Sequence, residues 1–203
     1  MSRRSWFGVL GVALGMLSLM MAWPGVDAAT ACLWNRIPRP TRWELKTGYG
    51  YQYTNNSRPN HYELEFFLPS AVVPLSAPMG QSWYRGHFEW NPELTLAMFS
   101  HPYVRPILGV TPLQFRYVLE PHRQLSPYVF AGAGVLYANI NRKESGSHVN
   151  FNPQCGAGLR YDVTPRTGLL VEYRHIHISN AGLDDRNRGL NAHTFLVGVS
   201  IAQ

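Results

Sequence analysis

Charged residues and cysteines are scarce in this chain of 203 residues. Asp, Glu, Lys and Arg together make up 15% of it, against about a quarter in ordinary soluble domains. The two cysteines, Cys32 and Cys155, lack the close spacing of a structural zinc site. After residue 31 no long segment repeats its apolar residues with the helical period. The mean hydropathy of −0.18 also argues against a bundle of membrane helices.

The formal net charge of +6 does not by itself indicate nucleic-acid binding. The chain has no Lys/Arg run with interleaved aromatic residues, no zinc-finger spacing and no basic helix. A basic balance also suits the phosphates of a lipid surface. The abundant aromatic residues, including 11 Tyr and 6 Trp, favour this second interpretation. Such rings are enriched where an apolar phase meets water.

The N-terminus has the features of a secretory signal peptide. Arg3 and Arg4 precede an apolar run from Trp6 to Ala22, which is short for a membrane-spanning helix. Small residues follow, so we predict a signal peptide over residues 1–31, cleaved after Ala28 or after Ala31. Export permits a disulfide between the two cysteines, and the position of Cys32 also permits lipid modification. The sequence leaves both alternatives open.

Residues 32–203 contain eight segments in which apolar and polar residues alternate with the period of a strand. Pro, Gly, Asn or Ser residues close these segments, and Pro92 and Pro112 fall inside the third and fourth. Because proline removes a ladder hydrogen bond, we expect these prolines at segment boundaries or at bulges. The segments are Trp43–Tyr51, Tyr62–Leu75, Gly86–Phe99, Pro106–Leu119, Ser126–Asn139, His148–Val163, Thr167–Ser179 and His193–Ala202.

Eight such segments predict an all-β fold, an eight-stranded antiparallel up-and-down transmembrane β-barrel. Most segments are longer than the usual soluble strand of about 5–6 residues and reach the roughly 9–11 residues of a membrane strand. In the last segment, large residues from Phe195 to Ile201 alternate with small ones, as expected of a lipid-facing wall around a narrow interior. The ending Ile-Ala-Gln is unusual for such barrels, and a soluble lipocalin-like barrel is the structural alternative.

The segment Thr167–Ser179 contains the candidate catalytic residues. His177 and Ser179 are two positions apart, so their side chains point to the same side of a strand. Glu172 and Arg174 occupy the alternate positions, so they point to the other side of the strand, and their polar side chains suit a barrel interior. The His-x-Ser pair fits an interfacial cluster of polar side chains. It also fits nucleophilic catalysis, in which imidazole activates a serine hydroxyl.

The stretch His177-Ile-Ser-Asn-Ala-Gly182, followed by Asn187-Arg-Gly-Leu-Asn191, resembles the lipid A 3-O-deacylase (PagL) family. The stretches 125–134 and 156–161 resemble the central strands of that family, and the similarity in layout covers roughly residues 40–203. The resemblance implies an outer-membrane esterase that removes the 3-O-linked 3-hydroxyacyl chain of lipid A without a metal or another cofactor. Its partners would be lipopolysaccharide and outer-membrane lipids, with no nucleic acid. A homodimer is left open.

Transferred by position, the resemblance makes Ser179 the nucleophile and His177 the base. Asn180 and the backbone N–H of Gly182 would hold the oxyanion, and Asn187 would shape the loop. These roles follow from the resemblance, because spacing alone does not assign them.

Asn191 stands where the family has the acidic residue that orients the histidine. Asparagine can accept a hydrogen bond from imidazole, but it cannot offset the imidazolium charge. We therefore expect either a slower enzyme or a substitute acid, for which Asp184 and Asp185 are candidates unless they are solvated loop charges. His175 is a further polar group below His177 on the same side.

The Asn191 departure also motivates a second hypothesis, a non-catalytic outer-membrane barrel with a structural or lipid-binding role. A third hypothesis is a soluble periplasmic lipid carrier. Because an even number of strands returns both termini to one side, the end of the seventh segment is predicted near the outer leaflet.

Overall fold

The computed structural model describes residues 39–53, 61–120, 124–140 and 145–203. The predicted signal peptide, with Ala28, Ala31 and the neighbouring Cys32, lies outside these residues. Within them, no helix is long and apolar enough to cross a membrane. A single short 3-10 helix, Ser82–Tyr84, is present in this part of the chain.

The described residues form ten β-strands that pair antiparallel in one closed sheet. Closure comes from the pairing of the first strand with the last, in register from Arg42↔Ala202 to Gln52↔Ala192. The strands are β1 Arg42–Gln52, β2 Glu63–Pro74, β3 Gly86–Trp90, β4 Glu93–His101, β5 Arg105–Leu119, β6 Leu125–Ala138, β7 Val149–Phe151, β8 Gln154–Asp162, β9 Thr167–Ile178 and β10 Leu190–Ala202.

These ten strands occupy the eight strand positions of an up-and-down barrel, as predicted, and each position is called a wall below. Both β3 and β4 pair with β2 and with β5, so they are two halves of one wall interrupted at Asn91-Pro92. Both β7 and β8 pair with β6, and they are separated by Asn152-Pro153. Pro112 lies at the register shift between Val110 and Leu113. The prolines therefore interrupt the ladder where they remove a donor, as expected.

Alternation along each strand separates an outward wall from a filled interior. On β9, Val171 is 61% exposed while the adjacent Glu172 is 2% exposed. On β10, the large residues of the predicted lipid-facing set are exposed and Leu196 is buried. The predicted sides of both strands are confirmed, and the outward side is apolar over much of its height.

The interior has an apolar part and a polar part. Buried apolar side chains fill the end that includes Phe66, Ile176, Ile178 and Leu190. Deeper along β9, Lys46 contacts Glu93 and Glu172 at 3.0 and 3.3 Å, and Arg174 is 2.6 Å from Glu93. These opposite charges compensate one another, which is what burial of ionised groups requires. Side chains thus fill the interior of the barrel.

Candidate active site

His177 and Ser179 lie at the end of β9 that is farthest from the chain termini of the barrel. His177 is on the outward side with Tyr173 and His175. Ser179 follows the last residue of the strand and is fixed by two backbone hydrogen bonds with Phe151, of 2.7 and 3.1 Å. The His177 N–H donates to Pro153 O at 2.9 Å. The interruption between β7 and β8 therefore provides the backbone partners of both residues.

Asn191 lies directly opposite His177 in the β9–β10 register. The last strand begins at Leu190, three residues earlier than the sequence pattern indicated, so Asn191 belongs to a strand. His177 Nδ1 is 2.7 Å from Asn191 Oδ1. Because an amide oxygen can only accept, Nδ1 carries the proton in this contact and Nε2 is left as an acceptor. This is the tautomer that a general base requires.

Gly189 provides the space in which the imidazole of His177 lies. Its φ of +61° is in the left-handed region, which glycine adopts without a steric penalty. A Cβ at this position would lie 2.9 Å from His177 Cε1 and 3.4 Å from its Nε2. Any side chain at residue 189 would therefore press on the imidazole edge that would receive a proton.

Among the described residues, no hydrogen bond joins the Ser179 hydroxyl to the His177 imidazole. In a strand, side chains two positions apart are separated by about 6.6 Å along the chain, so this contact requires the two side chains to lean together. Catalytic hydrogen bonds are often long in ligand-free structures and shorten when substrate binds. The two groups share a side, but their reactive contact is not formed in this state.

The loop after Ser179 is built around Asn180, which is fully buried. Its Nδ2 donates to Asp184 O and Arg186 O at 3.3 and 3.1 Å, and its Oδ1 accepts from Gly182 N–H at 2.9 Å. Both groups predicted to hold an oxyanion therefore have partners within the loop. The geometry supports a loop-building role for Asn180, and oxyanion contacts from either group require these bonds to rearrange.

Asn187 lies beside the same turn and lines a small crevice with Ser145, Asn150, Ser179 and Gly189. Its Oδ1 accepts from the Asn180 backbone N–H at 3.1 Å, which agrees with a loop-shaping role. No residue of the described part accepts from its Nδ2. Asn187 therefore has a side-chain donor without a hydrogen-bond partner among the described residues, and it lines the crevice that also contains Ser179.

The acidic residues near the site do not replace a carboxylate at residue 191. Glu172 faces the interior, as predicted, where it contacts Arg174 and Lys46. Asp184 accepts from Arg186 Nε at 3.1 Å, and hydrogen bonds from the Arg186 side chain and backbone hold the Asp184 pKa below its usual value. Neither Asp184 nor Asp185 contacts His177 within the described residues. No acidic side chain among the described residues is hydrogen-bonded to His177, whose Nδ1 is paired with Asn191 Oδ1.

His175 lies on the outward side of β9, two residues before His177, and is paired with His193 of β10. Across the described ranges, no three His, Cys, Asp or Glu side chains are grouped closely enough to hold a metal ion. Cys155, opposite His175 on β8, is exposed and has a free thiol. Cys32, the other cysteine of the disulfide alternative, lies outside the described residues.

The sequence pattern indicates no role for Gly189 or His193. A glycine signals only backbone freedom, and the contact of Gly189 with His177 depends on how the loop folds back. His193 is the first residue of the last predicted strand. Its place beside His175 follows from register, which a single strand does not reveal.

The fold is a closed antiparallel barrel of eight walls with a largely apolar outward side, and His177 and Ser179 lie at one rim of it. A family model described as lipid A 3-O-deacylase (PagL) matches residues 34–200. The chain belongs to this family, and it is an outer-membrane β-barrel.

Individual relatives agree with this assignment. Lipid A deacylase PagL of Pseudomonas aeruginosa is 32% identical over 80 residues, which are 38% of this chain and 44% of the relative. The chain therefore spans less than half of that relative in the alignment. The crystal structure of the outer membrane enzyme PagL matches with a TM-score of 0.57 and 21% identity, over 80% of this chain and 99% of that chain.

A second solved barrel shows the same fold. The crystal structure of Neisserial surface protein A has a TM-score of 0.55 and 12% identity, over 80% of this chain and 96% of that chain. At these identities the two structures support the barrel fold alone. The chemistry has to be argued from the residues of this chain.

Proposed function

We propose that this protein is an outer-membrane esterase that removes the 3-O-linked 3-hydroxyacyl chain of lipid A by serine-histidine hydrolysis. The observation that carries the proposal is the bond from His177 Nδ1 to Asn191 Oδ1, which leaves Nε2 free as an acceptor on the side that also carries Ser179. A neutral imidazole fixed in this tautomer is the base that a serine nucleophile needs. Family membership supports lipid A as the substrate class.

In the first half of the reaction, Ser179 Oγ attacks the ester carbonyl carbon while His177 Nε2 takes the hydroxyl proton. The tetrahedral intermediate then collapses, the sugar oxygen leaves with the proton from the imidazolium, and the acyl chain stays on Ser179. In the second half, a water molecule repeats the attack with His177 again as base. The acid is released and the Ser179 hydroxyl is restored.

The oxyanion of the intermediate needs donors near Ser179. Asn180 and Gly182 are the donors implied by the family, and in this structure both are engaged in the loop. Asn187 Nδ2 has no hydrogen-bond partner among the described residues, and Asn187 lines the crevice with Ser179, so we assign it as an additional donor. Loss of one such donor costs about 10²–10³ in rate. Asn187→Ala should show this loss in kcat, whereas Asn187→Gln should retain part of the activity.

The direct test is the mass of lipid A from membranes that contain the protein. The wild type should yield lipid A that is lighter by one 3-hydroxyacyl chain, and Ser179→Ala and His177→Ala should each abolish this shift. Ser200→Ala, which changes a serine inside the barrel, is a matched control that should retain it. Unmodified lipid A in the presence of correctly folded wild-type protein contradicts the proposal.

A non-catalytic barrel is the second candidate, because Asn191 carries no charge and both family-implied oxyanion donors are occupied. An active-site-directed serine reagent separates the two candidates. Covalent labelling of Ser179 that depends on His177 rules out the non-catalytic barrel, and absence of labelling in folded protein supports it.

A further inference from the structure

Below the proposed catalytic residues, the outward wall carries a group of rings that hydrolysis does not use. His175 and His193 are directly paired between β9 and β10, and Tyr51 is paired with His193 on β1. This row is on the same outward side as His177 and Asn191 and is separated from them by the inward-facing pair Ile176↔Ala192. We call His175, His193, Tyr173 and Tyr53 the ring platform.

The rings of the platform are in mutual contact around His193. The ring centroids of Tyr53 and His193 are 4.4 Å apart, and those of His175 and Tyr173 each lie 5.9 Å from His193. Tyr173 Oη is 2.7 Å from His193 Nδ1. The platform is therefore an ordered surface in which the orientation of His193 is fixed by both packing and a hydrogen bond.

Three imidazole nitrogens of the platform have no hydrogen-bond partner among the described residues. Whichever way the proton lies between Tyr173 and His193, Nε2 of His193 is left with a donor or an acceptor to satisfy. Neither nitrogen of His175 has a hydrogen-bond partner among the described residues. On the outside of a membrane barrel such groups are costly unless a polar part of a lipid meets them.

The side of His175 that faces β8 is open, because its neighbours there are small. Cys155 is paired with His175, and Ala131 is paired with Cys155 on β6. The nearest larger outward residue along this row is Phe115 of β5. A ligand can therefore lie against the imidazole of His175 without meeting a bulky side chain on that side.

We propose that the ring platform is a binding site for the hydroxyl and amide groups of an acylated sugar lipid at the boundary between its sugar and its acyl chains. This inference rests on the proposed function, because the same lipid would present its ester to Ser179. His175 and His193 donate to and accept from these neutral groups, and Tyr53 and Tyr173 hold the rings in place. They are positioning residues, since they do not touch the reacting ester.

The test compares two substrates in detergent-solubilised full-length protein, lipid A and a short aryl ester that has no sugar. The variants are His175→Phe, His193→Phe and the double variant. We expect kcat/KM for lipid A, relative to the aryl ester, to fall roughly tenfold per lost hydrogen-bonding group. Most of the change should be in KM, because the contact exists in both the ground state and the transition state.

Two further variants make this experiment decisive. His193→Gln keeps a donor and an acceptor and should recover part of the ratio. His148→Phe removes an imidazole that is stacked on Tyr137, away from the platform, and should leave the ratio unchanged.

The failure of this inference can be distinguished from failure of the proposed function. If the wild type hydrolyses neither substrate, the proposed function is wrong, and the inference fails with it. If the wild type hydrolyses lipid A but the double variant has the wild-type ratio, the platform is an ordinary aromatic girdle and only the inference fails. An equal loss on both substrates also overturns it.

Discussion

The two sides of strand β9 use polar residues in opposite ways. On the inward side, Glu172 and Arg174 are buried and each has charged partners on other strands. On the outward side, His177 has one fixed bond, through Nδ1, and His175 has none within the described residues. The inward charged groups are paired with one another, whereas the outward histidines have ring nitrogens without a hydrogen-bond partner among the described residues.

This difference separates stability from chemistry within a single strand. A buried charge without its partner is expensive, so the inward set has to be complete for the barrel to fold. A reacting group has to offer an unused lone pair or proton to a substrate, so the outward set has to be incomplete. Ring nitrogens without a hydrogen-bond partner on an ordered wall are therefore what the proposed function requires of this strand.

The largest effect is expected from His177→Gln. Loss of the base should reduce lipid A deacylation by roughly 10³-fold or more, while the urea midpoint of unfolding in detergent stays close to that of the wild type. Activity and unfolding should be measured on the same preparation. A variant that loses stability together with activity would show that the outward side also supports the fold.

The reciprocal change on the inward side is Arg174→Met. Among the described residues it leaves Lys46 as the one cation within salt-bridge distance of Glu93 and Glu172, and we expect a loss of about 3–5 kcal/mol in the free energy of unfolding. Turnover per folded molecule should be preserved. Adding Glu93→Gln removes one of the two carboxylates and should restore much of the stability, which equilibrium unfolding can measure.

Substitutions of Asn191 measure how much its hydrogen bond with His177 contributes to activity. Asn191→Ala frees the His177 tautomer and should lower kcat/KM by about 10–100-fold, as expected for loss of an orienting partner. Asn191→Asp keeps the bond and adds a charge that stabilises the imidazolium, so turnover should rise about tenfold or less, because Asn191 already selects the correct tautomer. Slower turnover in the Asp variant would show that the missing charge does not limit the rate.

A smaller effect is expected from Gly189→Ala. The left-handed φ of residue 189 and the short approach to His177 predict a cost of about 1–2 kcal/mol for a residue with a Cβ. Part of this cost should displace the imidazole and lower kcat several-fold. Gly80→Ala is the control for backbone strain, because its φ of +80° is also positive and it lies between β2 and β3, at the opposite end of the barrel from Ser179. Equal kcat losses in both variants would assign the effect to backbone strain alone.

The smallest effect concerns Asp184 in the exposed loop. Its pKa is lowered by Arg186, so the pair supports the loop above the usual Asp pKa of about 3.9, and this support is lost as the pH falls through the lowered value. Arg186→Ala should raise the pKa of Asp184 toward its usual value in an NMR titration. An unchanged titration would mean that the pair does not persist in solution.

Strand parity was readable from the sequence because the period of a strand is fixed at two. It correctly placed Glu172 and Arg174 in the interior, and the residues of the other parity, Leu169, Val171 and Tyr173, are exposed. The positions of Pro92 and Pro112 also followed, since proline cannot donate to a ladder. Strand ends were less predictable: the last strand starts at Leu190 because pairing with β9 extends it beyond the alternating apolar residues.

The site was only partly readable for a related reason. His177 and Ser179 are neighbours in the chain, so their shared side follows from the local sequence. Asn191 was named from a resemblance, and its contact with His177 depends on the register of two strands. The engagement of Asn180 with Asp184 and Arg186 depends on a loop that folds back on itself, which no periodic pattern encodes.

The sequence by itself determined the barrel, the two sides of each strand and the His-x-Ser pair, because these depend on residue type and a period of two. The tertiary structure decided which strands meet and in what register. That register places Asn191 on His177, Gly189 against the imidazole edge and His193 beside His175. Contacts between residues distant in the chain arise from closure of the sheet, and closure is a property of all eight walls together.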